Sequence, residues 1–209
     1  MKPLRFEITN PILLLVAEEL FIRYRERTKK RGKYFFRGTK VRKMIPVVSI
    51  VGRSDSGKTT LIEKLVRQLV DRGYRVATIK HDVHGFDIDH EGKDSWRHKK
   101  AGACISIISS PWKIGIVEDV EKDHTLAEIR ERYVRDVDII LSEGYKGNHH
   151  PKIEVFRAAM NHELLCSRED NLLAIASDLS VDLGVPCVDI NDVALLADII
   201  ERDILSACG

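Results

Sequence analysis

The chain is predicted to form an α/β fold: a mostly parallel, twisted sheet flanked by helices, behind a basic N-terminal helical extension. Two observations predict it. Strand-like and helix-like segments alternate along the body, the pattern of right-handed β–α–β crossovers. The first strand runs into the loop Gly52-Arg53-Ser54-Asp55-Ser56-Gly57-Lys58-Thr59-Thr60, which opens directly onto an amphipathic helix. That is the G-x-x-x-x-G-K-[ST] motif of P-loop NTPase-type folds. A length of 209 residues suits one such domain with a small addition.

The elements follow in order. Residues 45–51 are a near-continuous apolar run, as in a strand buried on both faces of a parallel sheet. Leu61, Leu65 and Leu69, beside Ile62, Val66 and Val70, recur every four residues and mark a helix that Gly73 ends. Residues 75–79 read as a strand and 81–93 as a polar loop. Residues 94–101 read as a helix with Asp94 as its N-cap. Residues 104–109 and 114–117 read as strands around Pro111-Trp112, and 126–134 as a helix. Residues 137–141, 153–156 and 172–176 read as strands, and 193–204 as a terminal amphipathic helix. Residues 45–209 are therefore expected to be the nucleotide-binding domain.

Residues 1–44 differ in character. They hold 13 Lys and Arg against 4 Asp and Glu, a charge of +9, which leaves −7 on the rest. Asn10-Pro11 suits a helix start. Leu13, Val16, Leu20 and Tyr24 then share a face, and a basic linker with Gly32 and Gly38 follows. No aromatic residue follows Phe36 in this arm, so contact with nucleic acid would be electrostatic; a solvated basic tail is the favoured reading.

The longest apolar run near the N-terminus, residues 12–17, stops at Glu18 and is far short of the ~20 residues that span a bilayer. No signal peptide is visible. Cys104, Cys166, Cys187 and Cys208 include no C-x-x-C pair; Cys104 and Cys187 are expected to be buried, reduced thiols. A cytoplasmic protein is expected.

The chemistry expected of the loop follows from its residues. Its glycines let backbone N–H groups curl around phosphate oxygens. The helix beginning near Lys58 adds its positive end. Lys58 is expected at the β- and γ-phosphates and Thr59 on Mg²⁺. In Asp138-Ile139-Ile140-Leu141-Ser142-Glu143-Gly144, an apolar strand ends in a carboxylate, so Glu143 is expected at the metal and Asp138 at the opposite edge.

The polar loop carries Lys80, His81, His84, Asp89 and Lys93 before Asp94. Asp94 either ligates Mg²⁺, directly or through water, or only caps its helix. Asp89 is a weaker candidate for positioning water, and Lys80 and Lys93 are candidates for phosphates. His81 and His84, like His149 and His150, are read as solvated or substrate-contacting rather than metal-binding, since no third ligand is obvious. Asp178, at the end of a strand, is a candidate acceptor for guanine N1–H and N2–H₂, with a plain turn cap as the alternative.

Several motifs occur together and in order: the loop with its double threonine, residues 79–84, Asp89, residues 92–95, Ala101-Gly102-Ala103, residues 142–146, residues 151–155 and residues 189–193. Over residues 45–205 this closely resembles the molybdopterin-guanine dinucleotide biosynthesis adaptor family, MobB. The resemblance implies a GTP-binding protein with at most slow Mg²⁺-dependent GTPase activity. It implies a homodimer that assists a MobA-type molybdenum cofactor guanylyltransferase in joining GMP to molybdopterin, with molybdopterin a further candidate ligand. It also implies that Glu143 is the Walker B carboxylate. Residues 1–44 are not explained by it. The competing readings are a P-loop small-molecule kinase or ligase, which needs an acceptor pocket, and a metallochaperone GTPase, which needs a stronger Cys/His cluster.

Overall fold

In the computed structural model, the described residues are 44–160 and 163–206. The basic extension expected over 1–44 lies outside them except for Met44, as does Cys208. The order of elements is β1 (Val47–Val51), α1 (Lys58–Asp71), β2 (Val76–Lys80), α2 (Asp94–Lys100), β3 (Ile105–Ser109), β4 (Ile114–Glu118), α3 (Leu126–Tyr133), β5 (Ile139–Glu143), β6 (Lys152–Phe156), β7 (Leu172–Ser177), β8 (Cys187–Asp189) and α4 (Val193–Ile200). Six strands form one sheet in the order β2-β5-β1-β6-β7-β8, with every neighbouring pair parallel. The strands β3 and β4 form a separate antiparallel ribbon.

The central strands are apolar because both faces of the sheet are covered. On one face, Leu61, Leu65 and Leu69 of α1 and Leu196 and Ile200 of α4 pack with Val48, Ile50, Ile139 and Leu141. On the other, Leu126 of α3 packs with Val47 and Ile140. Each helix end has a local cause. Gly73, at φ 90°, closes α1, with its N–H on Val70 O at 2.9 Å and Tyr74 N–H on Leu69 O at 3.0 Å. Thr125 and Glu128 form a reciprocal capping box at the start of α3. Asp192 caps α4 through Leu195 N–H at 3.1 Å.

Two expectations are corrected. The N-cap of α2 is Lys93, and Asp94 is the first helical residue; its side chain is 90% exposed and 4.0 Å from Arg97. The extended backbone of Lys93 supplies the cap geometry, so the acidic side chain acts one position later on the helix dipole. Cys104 is exposed rather than buried, because it lies outside the core at the approach to the β3–β4 ribbon, and Cys187 is half-buried. The strand β8 was not anticipated; at three residues it is too short to show a pattern.

The strand β6 carries two charges into the interior. Lys152 is 2% exposed, and its Nζ donates to Asn148 O at 2.6 Å and Asp170 O at 2.7 Å. Glu154 is 1% exposed and accepts from Leu165 N–H at 2.6 Å and Cys166 N–H at 2.9 Å. Each satisfies backbone groups of the adjoining loops. These two residues tie the loops beside the sheet to β6.

Candidate functional site: the P-loop and its neighbours

The site lies at the C-terminal ends of the parallel strands, where open α/β sheets place their ligands. The chain leaves β1 through Gly52, turns at Asp55 (φ 60°) and enters α1 through Gly57 (φ 97°). Gly52 is required by packing: a Cβ there would stand 2.6 Å from Val155 O and 2.7 Å from Ser56 Oγ. Arg53, Ser54 and Asp55 are exposed at the tip, and Thr59 and Thr60 are exposed on the first turn of α1. Ser56 is buried, and its Oγ has no hydrogen-bond partner.

Lys58 Nζ folds back and donates to Arg53 O at 2.7 Å. Its pKa lies below the usual lysine value, chiefly because the amine is partly buried; Lys146 and Lys80 push it further down, and Glu143 and Asp55 oppose them. An anion in the loop would relieve that crowding of positive charge.

Glu143 ends β5, between Ile50 of β1 and Lys80 of β2 in register. Its carboxylate accepts from Thr59 Oγ1 at 3.2 Å and 3.1 Å. A hydroxyl and a carboxylate in contact beside a phosphate-binding loop are the two protein groups that P-loop sites give to Mg²⁺. The loop residues that fit a triphosphate and the pair that fits its metal are thus adjacent. Asp138 is at the other end of β5, where it accepts from Arg75 N–H at 2.7 Å.

A cavity of about 830 Å³ flanks the loop on the β2–β5 side, lined by Lys58, Lys80, His81, His84, Asp123, Glu143, Tyr145 and Lys146 among others. His81 is held there from three directions. Its backbone N–H donates to Glu143 O at 3.0 Å, its Nε2 is 3.0 Å from Asp123, and its ring stacks on Tyr145 with centroids 4.4 Å apart. The Tyr145 hydroxyl donates to His124 O at 3.2 Å. Sequence reading singled out His81 but not Asp123, which stands 42 positions away in no motif.

Asp94 and Asp89 do not line that cavity. Asp89 accepts from Ser95 Oγ at 2.8 Å and lines a different cavity of about 530 Å³, with Phe86, Trp96 and Tyr133. Asp178 follows β7 and accepts from Ala158 N–H at 2.9 Å, so it caps the turn after β6. His150 loses its proton more readily than an ordinary histidine, first through burial and then through Arg130 and Lys152. Among the described residues, no group of three or more His, Cys, Asp or Glu is arranged to hold a metal. No helix among them is long and apolar enough to cross a membrane.

A second residue that sequence reading missed is Arg157, the first after β6. Its Nε donates to Ser56 O at 3.1 Å, and a Cβ on Gly57 would stand 3.2 Å from one of its terminal nitrogens. The available signal was positional: like Glu143, it marks the C-terminal edge of a buried strand beside β1.

The comparisons with known proteins agree with one another. Residues 47–178 match the protein family described as molybdopterin guanine dinucleotide synthesis protein B, MobB. The chain is 37% identical over 159 residues to the molybdopterin-guanine dinucleotide biosynthesis adapter protein of Haemophilus influenzae, covering 76% of this chain and 89% of that one. It is 38% identical over 163 residues to the protein so described in Escherichia coli, covering 75% and 92%. A crystal structure of molybdopterin-guanine biosynthesis protein B aligns with TM-score 0.59 at 30% identity, over 75% of this chain and 98% of that one. The structure of Bacillus subtilis MobB aligns with TM-score 0.60 at 26% identity, over 74% and 98%.

Proposed function

This chain belongs to the MobB family, and from that premise we infer that it is an adaptor of molybdenum cofactor biosynthesis that binds GTP with Mg²⁺. The observation that carries the nucleotide reading is the contact of Thr59 with Glu143 beside the Gly52–Thr60 loop. The loop backbone and Lys58 hold the phosphates, and Thr59 and Glu143 hold the metal. Bound there, Mg²⁺ neutralises charge on the β- and γ-phosphates. Asp178 is the candidate reader of guanine, through whichever of its acceptor sites the Ala158 N–H leaves open.

The partner in this reading is a MobA-type guanylyltransferase that joins GMP to molybdopterin. The adaptor acts in the cytoplasm as a homodimer, and its own GTPase activity is at most slow. Asp94, exposed on α2, joins the metal only through water or a rearrangement of the 81–93 loop. Calorimetric titration with GTP and ATP, with and without Mg²⁺, tests the proposal. GTP binding that Mg²⁺ strengthens is expected; equal affinity for ATP would remove the guanine assignment, and no binding of either nucleotide would remove the whole reading.

A further inference from the structure

We propose that Arg157 is a phosphate-binding residue of this site, contacting the nucleotide on the β6 side of the P-loop at the phosphates that GTP and GDP share. The proposal rests on the reading of the Gly52–Thr60 loop as a nucleotide site.

Three observations carry it. The first is contact. The guanidinium lies against the loop, with Nε on Ser56 O at 3.1 Å and a terminal nitrogen 3.2 Å from where a Cβ on Gly57 would be. Gly57 has no side chain to keep it away, so the cation sits on the backbone that is to curl around phosphate.

The second is uncommitted charge. Among the described residues, Arg157 makes no ion pair, and the only hydrogen bond of its side chain uses Nε. Arg72, also at the border of the core, is paired with both Asp198 and Glu201. Holding the guanidinium by Nε alone leaves both terminal NH₂ groups, the fork that grips phosphate oxygens, without a protein acceptor among the described residues. A half-buried arginine without a carboxylate, beside an anion site, is poised for that anion.

The third is side. In the sheet, β1 stands between β5 and β6. Glu143, with Thr59, marks the β5 side as the metal and terminal-phosphate end. Arg157 follows β6, the neighbour of β7 and Asp178, which is the candidate base side. Its reach is therefore toward the phosphates nearer the nucleoside. Arg53, within the loop itself, is exposed at the tip, and its side chain makes no hydrogen bond or ion pair among the described residues.

The test is calorimetry with GTP and GDP on the wild type, Arg157→Gln and Arg157→Lys, with thermal unfolding of each protein in the absence of nucleotide. Arg157→Gln should weaken GTP and GDP by the same factor, about tenfold or more. Its nucleotide-free unfolding midpoint should stay near that of the wild type. Arg157→Lys, which keeps the charge but loses Nε, should recover part of the affinity. Three results would overturn the proposal: affinities unchanged in Arg157→Gln; a loss confined to GTP, which would put the contact at the terminal phosphate; or a loss with a fallen unfolding midpoint that Arg157→Lys fails to rescue, which would make Arg157 only a strap for Ser56. A wild type that binds neither nucleotide would instead remove the underlying reading of the loop.

Discussion

The Thr59 hydroxyl lies within 3.2 Å of both carboxylate oxygens of Glu143, 84 residues further along the chain. The parallel pairing of β1 with β5 sets this contact, because it aligns Ile50 with Glu143 at the strand ends. In the nucleotide-binding reading, Thr59 and Glu143 would be the residues that hold a divalent cation. Glu143→Gln keeps the shape and removes the charge the cation needs. GTP affinity measured with and without Mg²⁺ should then differ much less than in the wild type. An undiminished Mg²⁺ dependence would place Glu143 outside the metal shell.

Lys58 is held by a loop carbonyl; in the nucleotide-binding reading it would exchange that carbonyl for phosphate. A charge-assisted hydrogen bond to phosphate contributes about 1.5–3 kcal/mol. Lys58→Ala should therefore weaken GTP binding by roughly ten- to a hundredfold while leaving the circular dichroism spectrum unchanged. Calorimetric titration that gives wild-type affinity in a folded variant would refute the phosphate assignment.

How much of this was legible beforehand depends on whether a residue's role is local. The P-loop declares itself because its glycines, lysine and threonine are contiguous and its flanking strand and helix are strongly patterned. Glu143 declares itself because a carboxylate at the end of a buried strand contrasts with the residues before it. Asp123 and Arg157 carry no such contrast; only the folded chain brings the one to His81 and the other to Ser56. Lys152 and Glu154 are charged, yet they are buried, since they satisfy backbone groups of the loops that precede and follow β6. The capping of α2 was misread because Asp94 has the right chemistry one position too late.

Lys152 gives a stability prediction. Lys152→Ala removes the buried donor that the carbonyls of Asn148 and Asp170 share. A carbonyl left without its donor costs about 1–3 kcal/mol where water cannot replace the donor, so for the two a loss of up to roughly 6 kcal/mol is expected from urea unfolding. A change below about 0.5 kcal/mol, the range of ordinary surface substitutions, would mean that water reaches these carbonyls.

Cys166 predicts a chemical difference among the thiols. Burial, reinforced by neighbouring Glu154, pushes its pKa up to about 12. An ordinary thiol titrates near 8.5, so at pH 8 Cys166 should hold roughly a thousandfold less thiolate. The shift is upward, so protection should persist as pH rises and fail only as pH approaches the raised value. Alkylation with iodoacetamide followed by peptide mapping should label exposed Cys104 readily and Cys166 only in unfolded protein. Labelling of both at equal rates at pH 8 would contradict the buried setting.

The last prediction concerns turnover. Fast phosphoryl transfer needs positive charge at the terminal phosphate and a group that orients the attacking water. Gly144 and Tyr145 follow Glu143, so no glutamine occupies the place after the strand, and the Tyr145 ring is stacked on His81. Arg157 stands on the β6 side of the loop, away from Glu143, and on that geometry serves binding rather than the terminal phosphate. Lys58 alone then faces the charge that develops there. The isolated protein should release phosphate from GTP well below the ~1–100 s⁻¹ typical of kinases, and Arg157→Gln should alter the affinity for GTP more than the rate at saturation. Steady-state phosphate release, alone and with a MobA-type guanylyltransferase, measures both. A rise on adding the partner would mean that the partner supplies the missing groups in trans. Fast release from the isolated protein would mean that the site is complete by itself, and would favour a self-sufficient GTPase or kinase over an adaptor that holds nucleotide for another enzyme.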